Sequence, residues 1–458
     1  RDFLGGVIEG FYGRPWTTEQ RHRLFRWMQA AGLDAYLYCP KDDLKHRTAW
    51  RLPYSGVELA GLRDLVQGAR RRGIRFLYGI APGLDLEHGS ARDEAVLRRK
   101  VSQLTALGVG QVAVLFDDIA PRLGAGDRRK FGTVAGAQAA FVNRFREWLA
   151  GRTPAARVLF CPTPYCARMC IPSVGGSAYL REIGEKLHPE VDIFWTGPEI
   201  VSGEIPVEGI RELAAVLRRP PVIWDNLHAN DYDLRRIYLG PYLGRPLDLR
   251  GQVRGILTNP NCEFELNYLP IRSLGDFLRA GRRWPAQRAW NRALKDWLGE
   301  FRGASPARFT RRDLELLGHC FWLPQAHGPR AAAWLEAWRA SLGRDPVAAR
   351  AARPRLVRQA REVEALFTRL TALRNRELLH ALYRHAWELK EEAILQRRWV
   401  EWLEGGPAAG EEYVSGEHLP GTYRGGLAAD LQRELPLTAN GGFAQPAGRH
   451  PGAGPDGQ

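Results

Sequence analysis

Gln111-Val-Ala-Val-Leu-Phe-Asp117-Asp118 is an apolar run that stops on two neighbouring carboxylates. An unbroken apolar stretch of this length reads as a strand buried on both faces, as in parallel sheets covered by helices. Such a strand has no packing use for adjacent negative charges. The C-terminal strand ends of a β/α barrel, by contrast, are where its enzymes carry their chemistry. The competing reading is that Asp117 caps a following helix and Asp118 pairs with an arginine.

The same rhythm extends to both sides. Further strands are expected at 3–11, 34–40, 75–82, 157–163, 192–197, 221–226 and 255–260, with the run above spanning 111–118. Helical spacing lies between them, at 17–32 with a Thr17 cap and Gly32 stop, at 57–72 and at 137–149. Eight βα repeats in about 270 residues have the length of a closed (β/α)8 TIM-type barrel; a doubly wound α/β sheet is the second choice. In a barrel the strand ends converge on one face. Here they carry Glu9-Gly10-Phe11-Tyr12, Lys41-Asp42-Asp43, Asp117-Asp118, Pro164-Tyr165, Trp195-Thr196, Trp224-Asp225-Asn226 and Asn259. Singly these are turn formers and core aromatics. Together they are what a sugar site needs, with directional hydrogen bonds for hydroxyls and aromatic faces for the apolar side of the ring.

Composition narrows the alternatives. No run approaches the ~18 apolar residues of a membrane span, and no secretory leader is expected. Cys39, Cys161, Cys166, Cys170, Cys262 and Cys320 form no secreted framework, so reduced thiols are expected. The clustered Cys161, Cys166 and Cys170 fit no common zinc spacing, and neither metal nor cofactor is expected. The net charge of +15 comes from 66 basic residues, of which seven are Lys and so 66 − 7 = 59 are Arg. The arginines are spread throughout rather than gathered into a basic, aromatic-studded stripe, so no nucleic-acid partner is expected.

Adjacent acids constrain the reaction. Most glycosidases hold two carboxyl groups on opposite sides of the scissile bond, about 5 Å apart for retention and farther for inversion. Consecutive residues turned into one pocket approach the same face of the sugar, which leaves no enzyme carboxylate behind it. The substrate's own 2-acetamido oxygen is the known alternative nucleophile, forming an oxazoline. One acid then holds the acetamido N–H, and the other protonates the leaving oxygen and later deprotonates water.

Six ordered motifs make this specific: Gly6-Val-Ile-Glu-Gly-Phe-Tyr-Gly-Arg-Pro-Trp16, Tyr38-Cys-Pro-Lys-Asp-Asp43, Leu115-Phe-Asp-Asp118, Trp195-Thr-Gly-Pro198, Trp224-Asp-Asn-Leu-His-Ala-Asn-Asp231 and Leu257-Thr-Asn-Pro-Asn-Cys-Glu-Phe-Glu265. Over about residues 3–270 the chain resembles glycoside hydrolase family 84. This is the family of the O-GlcNAcases and of bacterial β-N-acetylglucosaminidases. The resemblance implies that Asp117 orients and polarises the acetamido group and that Asp118 is the general acid/base. Gly10, through its backbone, and Lys41 match sugar-hydroxyl contacts. Tyr165, Trp224 and Asn226 match the acetamido pocket, and Asp231 and Asn259 match further hydroxyl contacts. The implied activity is retaining, exo-acting removal of O-linked GlcNAc from Ser or Thr of cytoplasmic and nuclear proteins. Broader glycan hydrolysis and a non-catalytic glycan-binding scaffold are the alternatives; the intact acid pair argues against the second.

From about Leu274 the pattern changes to helices rich in Trp, Leu and Arg. The expected division is a catalytic barrel at 1–273, an all-α stalk at 274–435 and a disordered tail at 436–458. The apolar stripes of the second part suit either an intramolecular bundle or a partner-binding face. Leu314-Glu-Leu-Leu-Gly-His-Cys-Phe-Trp-Leu-Pro324 and Tyr423-Arg-Gly-Gly-Leu-Ala-Ala429 resemble the stalk of the animal-type enzymes. That resemblance implies a homodimer exchanging stalk helices, each stalk lying over its partner's barrel mouth near Tyr165 and Trp195. The long acidic linker usual there is expected to be reduced to a short stretch around 302–308, and where those enzymes continue into an acetyltransferase-like domain this sequence ends in the Gly- and Pro-rich stretch 440–458.

Overall fold

The computed structural model describes residues 3–153, 156–304, 308–405, 425–438 and 442–446. Its strands are β1 (Leu4–Glu9), β2 (Ala35–Tyr38), β3 (Arg75–Ile80), β4 (Gln111–Leu115), β5 (Arg157–Cys161), β6 (Asp192–Trp195), β7 (Val222–Asp225) and β8 (Gly255–Thr258). All pair in parallel in sequence order, and β8 returns to β1, closing the (β/α)8 barrel. Seven helices follow β1 to β6: α1 (Thr18–Ala31), α2 (Gly56–Arg70), α3 (Ala91–Thr105), α4 (Ala125–Phe131), α5 (Val134–Ala150), α6 (Ala178–Lys186) and α7 (Val207–Leu217). After β8 come α8 (Tyr268–Leu278), α9 (Ala286–Trp297), α10 (Arg311–Cys320), α11 (Pro329–Ser341), α12 (Pro346–Thr371), α13 (Arg376–Gly405) and α14 (Leu427–Arg433).

Each expected strand contains an observed one and overruns it, mostly at the C-terminal end. There the backbone leaves the ladder to form the rim loops. The expected α1 is sharp because its signals are local: Thr17 accepts from Gln20 N–H in a capping box, and Gly32 ends the helix at φ 67°. One expectation fails. Between β7 and β8 the chain holds no α-helix, only a 3-10 turn at Leu247–Gly251. The Pro241, Pro246, Gly240 and Gly244 that punctuate this stretch interrupt helical hydrogen bonding.

The barrel interior is read off in steps of two. Leu4 and Ile8, Ala35, Leu37 and Cys39, Ala113 and Leu115, Leu159 and Cys161, Phe194, Val222 and Trp224, and Leu257 form one buried cluster. Successive residues of a strand point to opposite faces, so these positions set the inward phase of each strand.

The chain folds as two compact units: Arg1–Tyr232 with Pro241–Trp290, and Asp233–Gly240 with Asn291–Gln458. Leu274, where the helical part was expected to begin, is fully buried in α8, which packs against α1, β1 and β8. In the second unit α11 packs on α12, α12 on α13, and α14 on both α11 and α13. Leu356, Leu366, Leu370, Leu382 and Trp399 are all buried within this single chain. The apolar stripes are thus closed as an intramolecular bundle. Trp338 and Trp399 meet edge to face at 5.1 Å, and Trp334 Nε1 donates to Gln396 Oε1 at 2.8 Å. Within the expected tail, Leu437 bridges to Phe443, which is buried, and Trp399 Nε1 donates to the Ala444 carbonyl at 3.0 Å. The rest of the tail, 439–441 and 447–458, lies outside the described residues, as do 305–307 of the short linker and the 406–424 segment that precedes α14. None of the six cysteines is disulfide-bonded. Among the described residues no helix is long and apolar enough to cross a membrane, and no group of His, Cys, Asp or Glu is placed to hold a metal.

Candidate active site

Continuing the inward phase by one step past the strands names the floor of a cavity at the C-terminal mouth. After Ile8 comes Gly10, after Cys39 comes Lys41, after Leu115 comes Asp117, after Trp224 comes Asn226, and after Leu257 comes Asn259. All of these, with Asp118, Tyr165, Trp224 and Asp231, line one cavity of about 550 Å³. The nine residues expected from sequence are therefore brought together.

Asp117 is 7% exposed and Lys41 5%. Lys41 Nζ donates to Asp117 Oδ2, while Asp117 Oδ1 is buried without a hydrogen-bond partner. Burial by itself would lower the Lys41 pKa, but the Asp117 carboxylate beside it raises it well above the ordinary lysine value, so the ammonium stays charged. Asp117 therefore presents one oxygen held in a salt bridge and one acceptor left over, in a cavity wall.

Asp118 should point away from Asp117 by strand alternation. Its φ of 53° breaks the phase, placing a non-glycine residue in the left-handed region. For most residues that conformation costs about 1–2 kcal/mol. The turn brings the second carboxylate to the same cavity, where it is exposed. Tyr165 Oη donates to its Oδ1 at 2.8 Å and Tyr12 Oη to its Oδ2 at 2.9 Å. Burial, then the charge of Asp118, pushes the Tyr165 phenol up; burial likewise lifts Tyr12 to about 12 against the opposing charge of Lys41. Both phenols hold their protons at neutral pH and are available as donors.

Opposite the acids, Trp224 stands edge to face with Phe194 at 5.4 Å and donates Nε1 to Asn226 Oδ1 at 3.1 Å. Asn259 Nδ2 donates to the same oxygen at 3.0 Å, and Asn226 Nδ2 donates to the Ile200 carbonyl. Asn226 is thereby the hub that fixes the indole and Asn259, whose own Oδ1 is buried and without a partner. Gly10 lies under the indole: a Cβ there would fall 2.5 Å from Trp224 Cζ2. Asp231 Oδ2 accepts from the Tyr12 backbone N–H at 3.0 Å. Burial, and after it the charge of Asp118, raises the Asp231 pKa despite that bond.

The other acids at the strand ends are structural. Glu9 is fully buried and takes a bidentate bond from Arg21; Asp225 does the same with Arg245. Asp43 accepts from Tyr38 and Tyr54. Sequence reading missed Tyr12, although it stands inside a quoted motif. It also missed Cys161, Ile200 and Tyr232 of the wall and Arg47, which donates to the Asp118 carbonyl. Cys161 was visible as an inward position; Ile200 and Arg47 lie in loops with no periodic signal.

The comparisons with known proteins agree with this geometry. A family model described as beta-N-acetylglucosaminidase matches residues 5–310. The Protein O-GlcNAcases of Rattus norvegicus and Mus musculus are each 48% identical to the chain over 280 residues, covering 61% of this chain and 30% of theirs. The chain thus matches less than a third of the length of those curated relatives. A solved structure of a Thermobaculum terrenum O-GlcNAc hydrolase mutant is similar with a TM-score of 0.79 at 26% identity, covering 89% of this chain and 86% of that one.

Proposed function

With residues 5–310 matched, the chain belongs to the beta-N-acetylglucosaminidase family, and from that premise we propose that it is a retaining, exo-acting hydrolase that removes O-linked GlcNAc from Ser or Thr of proteins. The observation that carries the reading is the pairing of adjacent acids with different surroundings: Asp117 buried on Lys41 with one free acceptor, Asp118 exposed between two phenols. Asp117 Oδ1 accepts the acetamido N–H and so turns the carbonyl oxygen toward the anomeric carbon, where it closes the oxazoline ring. Asp118 protonates the departing serine or threonine oxygen, then takes a proton from the water that opens the ring. When Asp118 carries the proton, a tyrosine hydroxyl can reverse its role and accept from it. Trp224 supplies an apolar wall and Asn259 Oδ1 an acceptor for a sugar hydroxyl. No step uses a metal or cofactor.

The O-GlcNAcases named above, 48% identical over 280 residues, support protein-linked GlcNAc as substrate. Cytoplasmic and nuclear location, and a homodimer formed through the helical unit around 274–435, belong to the same proposal. Because the apolar side chains of that unit close within one chain, the proposed dimer does not depend on burying them between subunits. The decisive experiment is turnover of a chromogenic β-N-acetylglucosaminide and of a GlcNAc-modified protein, by the wild type and by Asp118→Asn. Release of GlcNAc from the chromogenic glycoside but not from the protein would favour the broader glycosidase; no release from either would leave only a binding role.

A further inference from the structure

The loop between β2 and α2 sends one cation to each member of the acid pair. Lys41 reaches the Asp117 carboxylate; Arg47, six residues on, donates Nη2 to the main-chain carbonyl of Asp118 at 3.0 Å. Arg47 is only 8% exposed, and among the described residues no carboxylate lies within ion-pair distance of it. Its Nη1 is buried without a partner. A buried guanidinium that has no carboxylate is costly, and a fold tolerates it where it does something else. Its Cζ also lies 5.8 Å from the centroid of the ring of Tyr12, the phenol that donates to Asp118 Oδ2. Arg47 therefore touches Asp118 twice, through its carbonyl and through a carboxylate partner.

The peptide it grips is the one whose φ of 53° departs from the strand. Without that departure the side chain of residue 118 would face away from the cavity. The loop that holds Arg47 is itself pinned. The His46 carbonyl accepts from Ala81 N–H at 2.9 Å, His46 Nδ1 contacts the Gly79 carbonyl at 2.8 Å, and the buried Lys100 ammonium donates to the Lys45 carbonyl.

Resting on the proposed acid role of Asp118, we infer that Arg47 is a positioning residue for the acid/base step: it holds the left-handed peptide of Asp118 and the ring of Tyr12, and so sets the aim of the carboxyl group at the leaving oxygen. It touches neither sugar nor leaving group. Its loss therefore weakens proton transfer and leaves sugar binding and acetamido activation intact.

The test uses Arg47→Gln and Arg47→Lys in the full chain, with an activated dinitrophenyl β-N-acetylglucosaminide and a GlcNAc-serine peptide. Arg47→Gln should lower kcat/KM on the peptide at least tenfold more than on the activated glycoside, since only the former needs full protonation of its leaving group. On the activated glycoside kcat/KM should change little, and turnover there also reports that the variant is folded. Arg47→Lys, which keeps a donor for the carbonyl, should recover part of the peptide rate. In an Asp118→Asn background Arg47→Gln should add no further loss, because a residue acting through another has nothing left to act on. Equal losses on both substrates, or losses that add to those of Asp118→Asn, would show a general structural role and overturn the inference. If Arg47→Gln does not fold, the same two-substrate ratio for Arg47→Lys decides. A leaving-group-independent Asp118→Asn would instead remove the acid role itself, and Arg47 positioning with it.

Discussion

Lys41 holds one oxygen of Asp117 and leaves the other unpartnered, so a single buried ion pair both fixes the carboxylate and leaves over the acceptor that the proposed mechanism gives to the substrate. Truncating the cation to Lys41→Met leaves Asp117 as a buried charge without its counterion. Breaking such a pair from one side costs about 3–5 kcal/mol. Thermal melting should show that loss, and Asp117→Asn placed in the Lys41→Met background should recover much of it. A Lys41→Met protein as stable as the wild type would mean that Asp117 is compensated elsewhere.

Asp117 and Asp118 are adjacent in sequence and separable by leaving group. Asp118→Asn should lose most activity on poor leaving groups, by about 10²–10⁴-fold, and much less on activated aryl glycosides. For Asp117→Asn the loss should appear equally with both, because ring closure precedes every departure. Near-normal turnover of an aryl glycoside by Asp117→Asn would remove it from acetamido activation.

Gly10 is needed for the space it leaves. A methyl group 2.5 Å from Trp224 Cζ2 and 2.8 Å from Ile8 Cγ2 forces the indole away from the strand end and off Asn226. Gly10→Ala should cost about 1–3 kcal/mol of stability, as overpacking does. It should also weaken binding of a sugar-shaped inhibitor, measurable by calorimetry. Unchanged affinity would show that the wall tolerates displacement.

The barrel was legible from its apolar runs and the acid pair from the strand end that carries it, while Gly10, Lys41 and Asn259 were picked out through the family resemblance; the structure adds the period of two that places them on the floor of the mouth. Once Ile8, Cys39, Leu115 and Leu257 are taken as inward, Gly10, Lys41, Asp117 and Asn259 follow by counting. The phase ends where the strands end. Asp118 enters the cavity through a left-handed backbone that no alternation predicts. Tyr12 and Arg47 act from loops, and their value lies in what they touch 106 and 71 residues away. The helical unit was legible as helices, but whether its apolar stripes close on themselves depends on tertiary pairing of α11, α12 and α13, which amphipathic spacing does not specify.

Histidine burial sets the acid side of stability. His46 is fully buried with Nδ1 on the Gly79 carbonyl, and burial lowers its pKa to about 3, with the charge of Lys41 adding to the effect. Burial also lowers His385 to about 4. The folded values lie below the unfolded value of about 6.5, so under that pH the unfolded chain binds protons that the folded one refuses. Stability should therefore fall as pH drops from about 6.5, by about 1.4 kcal/mol per pH unit for His46 alone, until its folded pKa is reached. Urea midpoints at pH 7 and 5 measure the slope, and His46→Asn should flatten it. An unchanged slope in that variant would mean that His46 does not stay neutral in the fold.

In the proposed mechanism the acetamido oxygen is the nucleophile, so the rate must respond to that group's own electronics. Fluorinating the N-acyl methyl stepwise withdraws electrons from the carbonyl, so kcat/KM on an aryl glycoside should fall steeply along the mono-, di- and trifluoro series. An enzyme carboxylate attacking from the far face would not depend on the acyl group in this way. The acids available for that attack are Asp231 and Glu199, the other carboxylates lining the cavity. Asp231 is a poor candidate, since its Oδ2 is already occupied by the Tyr12 N–H. A flat fluorine series would nonetheless turn attention to these two, and trapping with a slow 2-fluoro sugar would then label one of them. With the acetamido route the product should first appear as the β-anomer by NMR, because ring closure and ring opening each invert the anomeric carbon.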